Sequence, residues 1–175
     1  VHTVPNGVDT RRVRQAPFRS DPATFTIGFV GTLKPWHGVS DLVDAVALLH
    51  DSDPRYRLLI GGDGPEFEAV ARQVADHGLE GVVGLAGRVA PTDVPGLLTK
   101  MDVGVAPYPD LPDFYFSPLK IYEYLAAGLP VVATDVGDLA RLVDPSVGVV
   151  VRPGDPAAIA QAVADLRAAP QLRAG

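Results

Sequence analysis

Cysteine is missing altogether, so disulfides and thiolate-held metals are excluded. Lysine is scarce, with Lys34, Lys100 and Lys120 the only three. The formal charge is −6, the wrong balance for a nucleic-acid scaffold. A local anion site remains open, since it needs only a few placed cations and backbone amides. The apolar runs all fall short of the ~20 residues that cross a bilayer. The loop after the first strand-like run lacks G-x-G-x-x-G, and no Walker pattern occurs, so two glycine signatures of nucleotide binding are absent. There is no internal repeat and no low-complexity tract.

What is present suffices for one core. The chain has 175 residues, 47% of them hydrophobic, which suits a compact domain. Residues 1–25 carry turn signals at Pro5, Asn6, Gly7, Pro17 and Pro22 and read as a lead-in segment or linker. Arg11, Arg12 and Arg14 within them read as solvated surface. Residues 26–169 form the predicted domain, and Pro170 opens a tail over 170–175. The chain reads as a piece of something longer.

Apolar runs at 26–30, 56–60, 82–85, 103–106, 131–133 and 147–151 are strand candidates. Helical patterns lie between them. One stripe holds Val39, Leu42, Val43, Val46 and Leu49; others hold Phe67, Val70, Ala71 and Val74, or Ile159, Val163 and Leu166. A short helix is predicted over 91–100 and another near 139–143, and Asp155-Pro156 reads as an N-cap followed by Pro at the first helical position. Continuous apolar strands alternating with helices predict an α/β fold: one doubly wound, Rossmann-like parallel sheet of about six strands with helices on both faces. Right-handed crossovers then bring the strand-to-helix loops to one rim.

Three of those loops have ligand chemistry. Residues 31–38, Gly-Thr-Leu-Lys-Pro-Trp-His-Gly, follow the first strand. Gly61-Gly-Asp-Gly-Pro65 closes the second; its glycines allow a tight turn and close approach of a ligand, and a plain strand-to-helix turn is the alternative. Arg88 follows the third strand, where an anion contact or simple solvation fits. Residues 107–115, with three prolines and two tyrosines, fit a ligand-facing or mobile loop. Asp51-Ser-Asp53 has the form of a metal motif but precedes a strand, at the rim opposite to ligands, and reads as a polar turn.

The stretch Phe116-Ser-Pro-Leu-Lys-Ile-Tyr-Glu-Tyr-Leu-Ala-Ala-Gly-Leu-Pro-Val-Val-Ala133 carries the most. Ser117 is the predicted N-cap and Pro118 the first helical residue. Leu119, Tyr122, Leu125 and Ala126 make the predicted buried face, and Gly128 with Pro130 ends the helix. Lys120 and Glu123 then sit near the positive end of the helix. Amides and Lys120 suit phosphates, and Glu123 suits ribose hydroxyls. An ordinary amphipathic helix with an exposed Lys-Glu pair is the alternative.

Val4-Pro-Asn-Gly-Val-Asp9, Gly28-Phe-Val-Gly31, Gly62-Asp-Gly-Pro65, Ser117-Pro-Leu-Lys120, Glu123-Tyr-Leu-Ala-Ala-Gly-Leu-Pro-Val-Val132 and Val151-Arg-Pro-Gly-Asp155 occur in that order. Together, over essentially the whole chain, they resemble the C-terminal half of a retaining glycosyltransferase of family 4, with the GT-B fold. The resemblance implies a donor site for a nucleoside-diphosphate sugar, no metal in catalysis and no cofactor beyond that donor substrate. Its partners would be the nucleotide sugar and an N-terminal acceptor-binding domain of the same protein. Nucleic acid is not expected as a partner, nor a membrane span in this segment. It implies a cytoplasmic protein, with peripheral attachment at the inner face of the membrane through the other domain as a further option.

By the same resemblance, Glu123 is the second glutamate of an E-x7-E motif and binds ribose, and the amides of Leu119 and Lys120 meet the diphosphate. Gly87, Arg88 and Val89 line the base pocket. Gly31, Thr32 and Lys34, then Gly62, Asp63 and Gly64, supply the glycine loops, and Ser117 and Tyr115 complete the set. Tyr115 stands where the first glutamate of the motif would fall. Thr32 and His37 stand where the family has Arg and Lys, which makes Lys34 the candidate phosphate cation and His37 its rival. Lys34 and Lys120 are the candidate catalytic residues, stabilising charge on the leaving diphosphate. Other functions that share the features are an inactive nucleotide-sugar-binding module, a GT-B sugar epimerase and a Rossmann oxidoreductase domain.

Overall fold

All six apolar runs become parallel strands of one sheet, in the order β3-β2-β1-β4-β5-β6. The structure, a computed structural model, describes residues 6–15, 23–110 and 118–169. The strands are β1 (Phe25–Val30), β2 (Tyr56–Gly61), β3 (Val83–Leu85), β4 (Val103–Ala106), β5 (Val131–Thr134) and β6 (Gly148–Val151). The helices are α1 (Val39–Ser52), α2 (Phe67–Asp76), α3 (Val94–Leu98), α4 (Leu119–Ala126), α5 (Leu139–Leu142) and α6 (Pro156–Ala168), and Pro35–His37 makes a 3-10 turn.

Alternation along each strand divides the apolar residues between two cores. Phe25, Ile27 and Phe29 of β1, Leu58 and Ile60 of β2, and Val103 and Val105 of β4 face α1, α2 and α6. Val30, Ala106, Val131 and Ala133 face α3, α4 and α5. Both faces of the sheet are thus covered, the condition under which parallel strands are stable. The predicted stripe of α1, from Val39 to Leu49, is buried. The Asp155 carboxylate caps α6 by accepting from the Ala158 amide at 2.9 Å. Val13, from the lead-in residues, is also buried in the second core.

Strand order reverses between β1 and β4. β1 pairs with β2 along its whole length but with β4 only at Ile27↔Val103 and Gly28↔Gly104. Beyond Gly28 the two strands are no longer paired, and open α/β sheets hold ligands beyond the carboxyl ends of strands beside such a reversal.

Four expectations need correction. Helix α4 does not bury Leu119, Tyr122, Leu125 and Ala126 as one face. Lys120, Ile121 and Tyr124 are its buried residues, and Leu119 is 50% exposed. The cause lies beneath the helix: a Cβ on Gly104 would stand 2.4 Å from the Tyr124 ring, so only a glycine there lets that ring lie on the sheet. Second, α4 begins at Leu119, with Pro118 at the N-cap in a non-helical conformation (φ −80°, ψ 62°); Ser117 lies outside the described residues. Third, the helix expected over 91–100 shrinks to α3, since residues 91–93 form a turn before it. Fourth, Asp51 and Ser52 belong to α1 rather than to a turn, and Asp53 ends the helix. The Asp53 carboxylate accepts from Arg55 and Arg167.

Candidate functional site

A cavity of about 410 Å³ opens at the carboxyl ends of β1, β2 and β3, within the size range of small-ligand sites. It is lined by Gly31, Thr32 and Lys34 after β1, Gly62, Asp63 and Gly64 after β2, Arg88 and Val89 after β3, and Val94 of α3. The first two loops brace each other. The Leu33 amide donates to Asp63 O at 3.0 Å, and the Glu66 amide to Leu33 O at 3.1 Å. A Cβ on Gly62 would fall 1.8 Å from the Gly31 carbonyl oxygen. The missing side chain at Gly62 therefore makes room for the neighbouring loop, which the sequence reading assigned to an approaching ligand. Gly87 precedes Arg88 and does not itself line the cavity.

Lys120 reaches this region from α4. It is only 7% exposed, which removes the alternative of an exposed Lys-Glu pair. Its ammonium donates to the Tyr108 hydroxyl at 3.2 Å and lies 4.6 Å from the Phe29 ring centroid and 4.5 Å from that of Tyr108. A Cβ on Gly31 would be 3.4 Å from Lys120 Nζ, so the cation stands against the start of the first loop. No carboxylate among the described residues comes within ion-pair distance of it. Burial lowers its pKa to about 7, with the Glu123 charge opposing.

Glu123 faces a second cavity, of about 200 Å³, shared with Asp9, Arg12, Leu119 and Val94. Val94 lines both cavities, so the two adjoin there. Burial raises the Glu123 pKa, against the pull of the Arg12 and Lys120 charges. Arg12 is exposed, as expected, yet its guanidinium donates to Pro91 O at 2.9 Å and ties the lead-in residues to the loop before α3. Pro118 offers no side chain to the first amides of α4, so those of Leu119 and Lys120 stand at its positive end.

His37 and Lys34 separate clearly. The half-buried His37 ring packs between Phe29 and Tyr108 and contacts Thr32 O through Nδ1. A carbonyl only accepts, so Nδ1 is the donor and Nε2 is left as an acceptor. Burial lowers the His37 pKa, and the Lys120 and Lys34 charges push the same way, against the Thr32 hydrogen bond. A neutral ring without a free donor is a poor phosphate ligand. Lys34 lines the large cavity, its ammonium 5.5 Å from the Trp36 ring centroid.

Tyr115 and Ser117 lie outside the described residues. Sequence reasoning missed Phe29, Tyr108 and Tyr124 as neighbours of the site. Tyr108 carried a signal, as an aromatic in the long loop after β4. Phe29 carried none, because it reads as an ordinary core residue, and neither did Tyr124, because helical spacing put Leu119, Tyr122, Leu125 and Ala126 on the buried face instead.

Known proteins are similar to this chain in sequence and in fold. The chain is 32% identical over 152 residues to the lipopolysaccharide core biosynthesis mannosyltransferase LpsB of Rhizobium meliloti, matching 79% of this chain and 41% of LpsB. It spans about two fifths of the length of the curated relatives it matches. Its fold superposes on the Anabaena protein HepE, crystallised with UDP and glucose, with a TM-score of 0.77 and 25% identity over 97% of this chain and 48% of HepE. Sucrose-phosphate synthase of Thermosynechococcus elongatus superposes with a TM-score of 0.81 and 25% identity over 97% of this chain and 44% of that one. The family model described as glycosyl transferases group 1 matches residues 24–168, and the chain belongs to that family.

Proposed function

We propose that this chain is the donor-binding, C-terminal half of a retaining family 4 glycosyltransferase. It holds a nucleoside-diphosphate sugar for transfer, without a metal, to an acceptor on another domain of the same protein. The observation that carries this is one of placement. The loops at Gly31 and Gly62 and the Arg88-Val89 corner line one cavity at the carboxyl ends of β1, β2 and β3, and Lys120, from the first turn of α4, stands against Gly31 beside the reversal of strand order. HepE, crystallised with UDP-glucose, has the same fold and supports the ligand class.

In this reading the base lies by Arg88 and Val89, and the ribose hydroxyls donate to Glu123 across the Val94 boundary. The diphosphate spans the amides of Leu119 and Lys120, the Lys120 ammonium and Lys34. As the glycosidic bond breaks, charge grows on the leaving diphosphate, and fixed donors stabilise it most in the transition state. Losing one such donor costs about 3 kcal/mol, roughly a hundredfold in rate.

Calorimetry with UDP, GDP and ADP, and the corresponding hexose conjugates, tests the donor assignment. One of them binds, and Glu123→Ala weakens it by about 1.5–3 kcal/mol, the loss of hydrogen bonds to a charged group. An unchanged dissociation constant removes the ribose role. In the complete protein Lys120→Ala loses most turnover, and near-normal activity contradicts the assignment.

A further inference from the structure

Where β1 and β4 part, one phenol bridges the gap. The Val30 amide, at the end of β1, donates to the Tyr124 hydroxyl at 2.9 Å, and that hydroxyl donates on to Val105 O of β4 at 3.4 Å. The ladder between those strands has already ended at Gly28↔Gly104. Tyr124 is fully buried, so water has no access to the Val30 N–H that it satisfies. Gly31, next in the chain, stands against the ammonium of Lys120, one helical turn before Tyr124.

We infer that Tyr124 is a positioning residue for the diphosphate. Its hydroxyl fixes the start of the loop over residues 31–34 against the first turn of α4 and so sets the gap in which phosphate is held. This rests on the donor site proposed above. The two elements it ties together are the two that hold phosphate in that reading. The nucleoside lies between α4 and the loop after β3, and neither contact passes through β1. Loss of the hydroxyl therefore weakens diphosphate binding selectively. A loss of fold would weaken both parts of the ligand.

The test is Tyr124→Phe in the complete protein, with UDP, GDP and ADP and with uridine, guanosine and adenosine as probes. Affinity for the nucleoside diphosphate that binds the unaltered protein falls about tenfold or more, the worth of one buried hydrogen bond. Affinity for the matching nucleoside stays within about twofold. Met101→Ala is the control for plain destabilisation. Met101 is buried on the same face and packs on Gly28, and its loss leaves the Val30–Tyr124 bond in place. Equal weakening of both ligands in Tyr124→Phe, no weakening of either, or the same selective loss in Met101→Ala overturns the inference.

Should Tyr124→Phe fail to fold, hydrogen exchange in the unaltered protein decides. Exchange of the Val30 amide slows when the diphosphate binds and not when the nucleoside does; equal protection by both overturns the inference. If the unaltered protein binds none of the diphosphates, the donor site falls, and this inference with it.

Discussion

Lys120 and Tyr108 meet as ammonium and phenol, 3.2 Å apart, in a crevice walled by aromatic rings. The faces of Phe29 and Tyr108 return about 1–2 kcal/mol to the buried cation, less than the several kcal/mol that desolvation takes away. The imbalance explains the pKa of about 7. It also makes Lys120 a burden on the unliganded fold.

That burden is measurable. A lysine in the unfolded chain holds its proton to near 10.5, and Lys120 releases its own near 7. Between those limits the unfolded state binds more protons, so this group makes stability rise as pH climbs from about 7 to about 10.5. Below that window both states are charged and the full penalty remains. Lys120→Met therefore raises stability at pH 6.5 by about 1–2 kcal/mol, roughly 2–8 °C in Tm, and the gain shrinks at pH 9. Thermal unfolding at both pH values checks it, and a Tm at pH 6.5 unchanged or lowered by the substitution refutes it.

The same group couples binding to protons. An incoming diphosphate favours the charged form of Lys120, so binding at pH 8 takes up nearly one proton. Calorimetry in buffers of different ionisation enthalpy reads this directly. His37, Lys34 and Tyr108 lie around the same crevice and Glu123 faces the adjoining cavity, so the control is Lys120→Met. If uptake persists in that variant, the proton goes elsewhere, with His37 the next candidate. Affinity in the unaltered protein falls as pH rises through about 7 for the same reason.

Lys34 and His37 differ in what they offer a phosphate, and their variants differ with them. Lys34→Ala removes a cation from the cavity wall and weakens nucleoside diphosphate binding by about 1.5–3 kcal/mol. His37→Gln keeps a donor for Thr32 O and removes no charge at neutral pH, so it shifts affinity by about threefold at most. Isothermal titration of the two variants side by side gives the comparison, and a larger loss in His37→Gln reverses the assignment.

Most of the sheet was legible in the sequence because its strands are short apolar runs between glycine and proline punctuation, and each falls within a residue or two of its predicted place. The rim followed from handedness, since right-handed crossovers leave little freedom over where the loops gather. The buried face of α4 was not legible. Helical spacing sees Leu119 and Tyr122 as core, but the space for Tyr124 is made by Gly104, twenty positions away on strand β4. Local periodicity has no access to that pairing. Lys120 was placed by its chemistry at a helix start, while its aromatic enclosure comes from Phe29 and Tyr108 on two other elements. Gly62 was noticed as permissive, yet what fills its space is the Gly31 carbonyl, a contact set by loop geometry alone.

Gly62 gives the sharpest steric prediction. A methyl group there would overlap the Gly31 carbonyl oxygen at 1.8 Å, and backbone atoms on both sides leave no flexible side chain to yield. Gly62→Ala therefore costs about 2–3 kcal/mol, roughly 4–12 °C in Tm. Because the strain falls on Gly31 itself, nucleoside diphosphate binding weakens as well. Gly84→Ala is the contrast. Its Cβ would make ordinary contact, 3.5 Å from Leu59 Cδ1, on an exposed position of β3. Alanine fits a strand better than glycine, so that variant is neutral or slightly stabilising and binds normally. Thermal unfolding and titration of both variants separate a steric requirement for glycine from a general intolerance of the sheet edge. Equal Tm values for the two would mean that the loops after β1 and β2 do not touch as described.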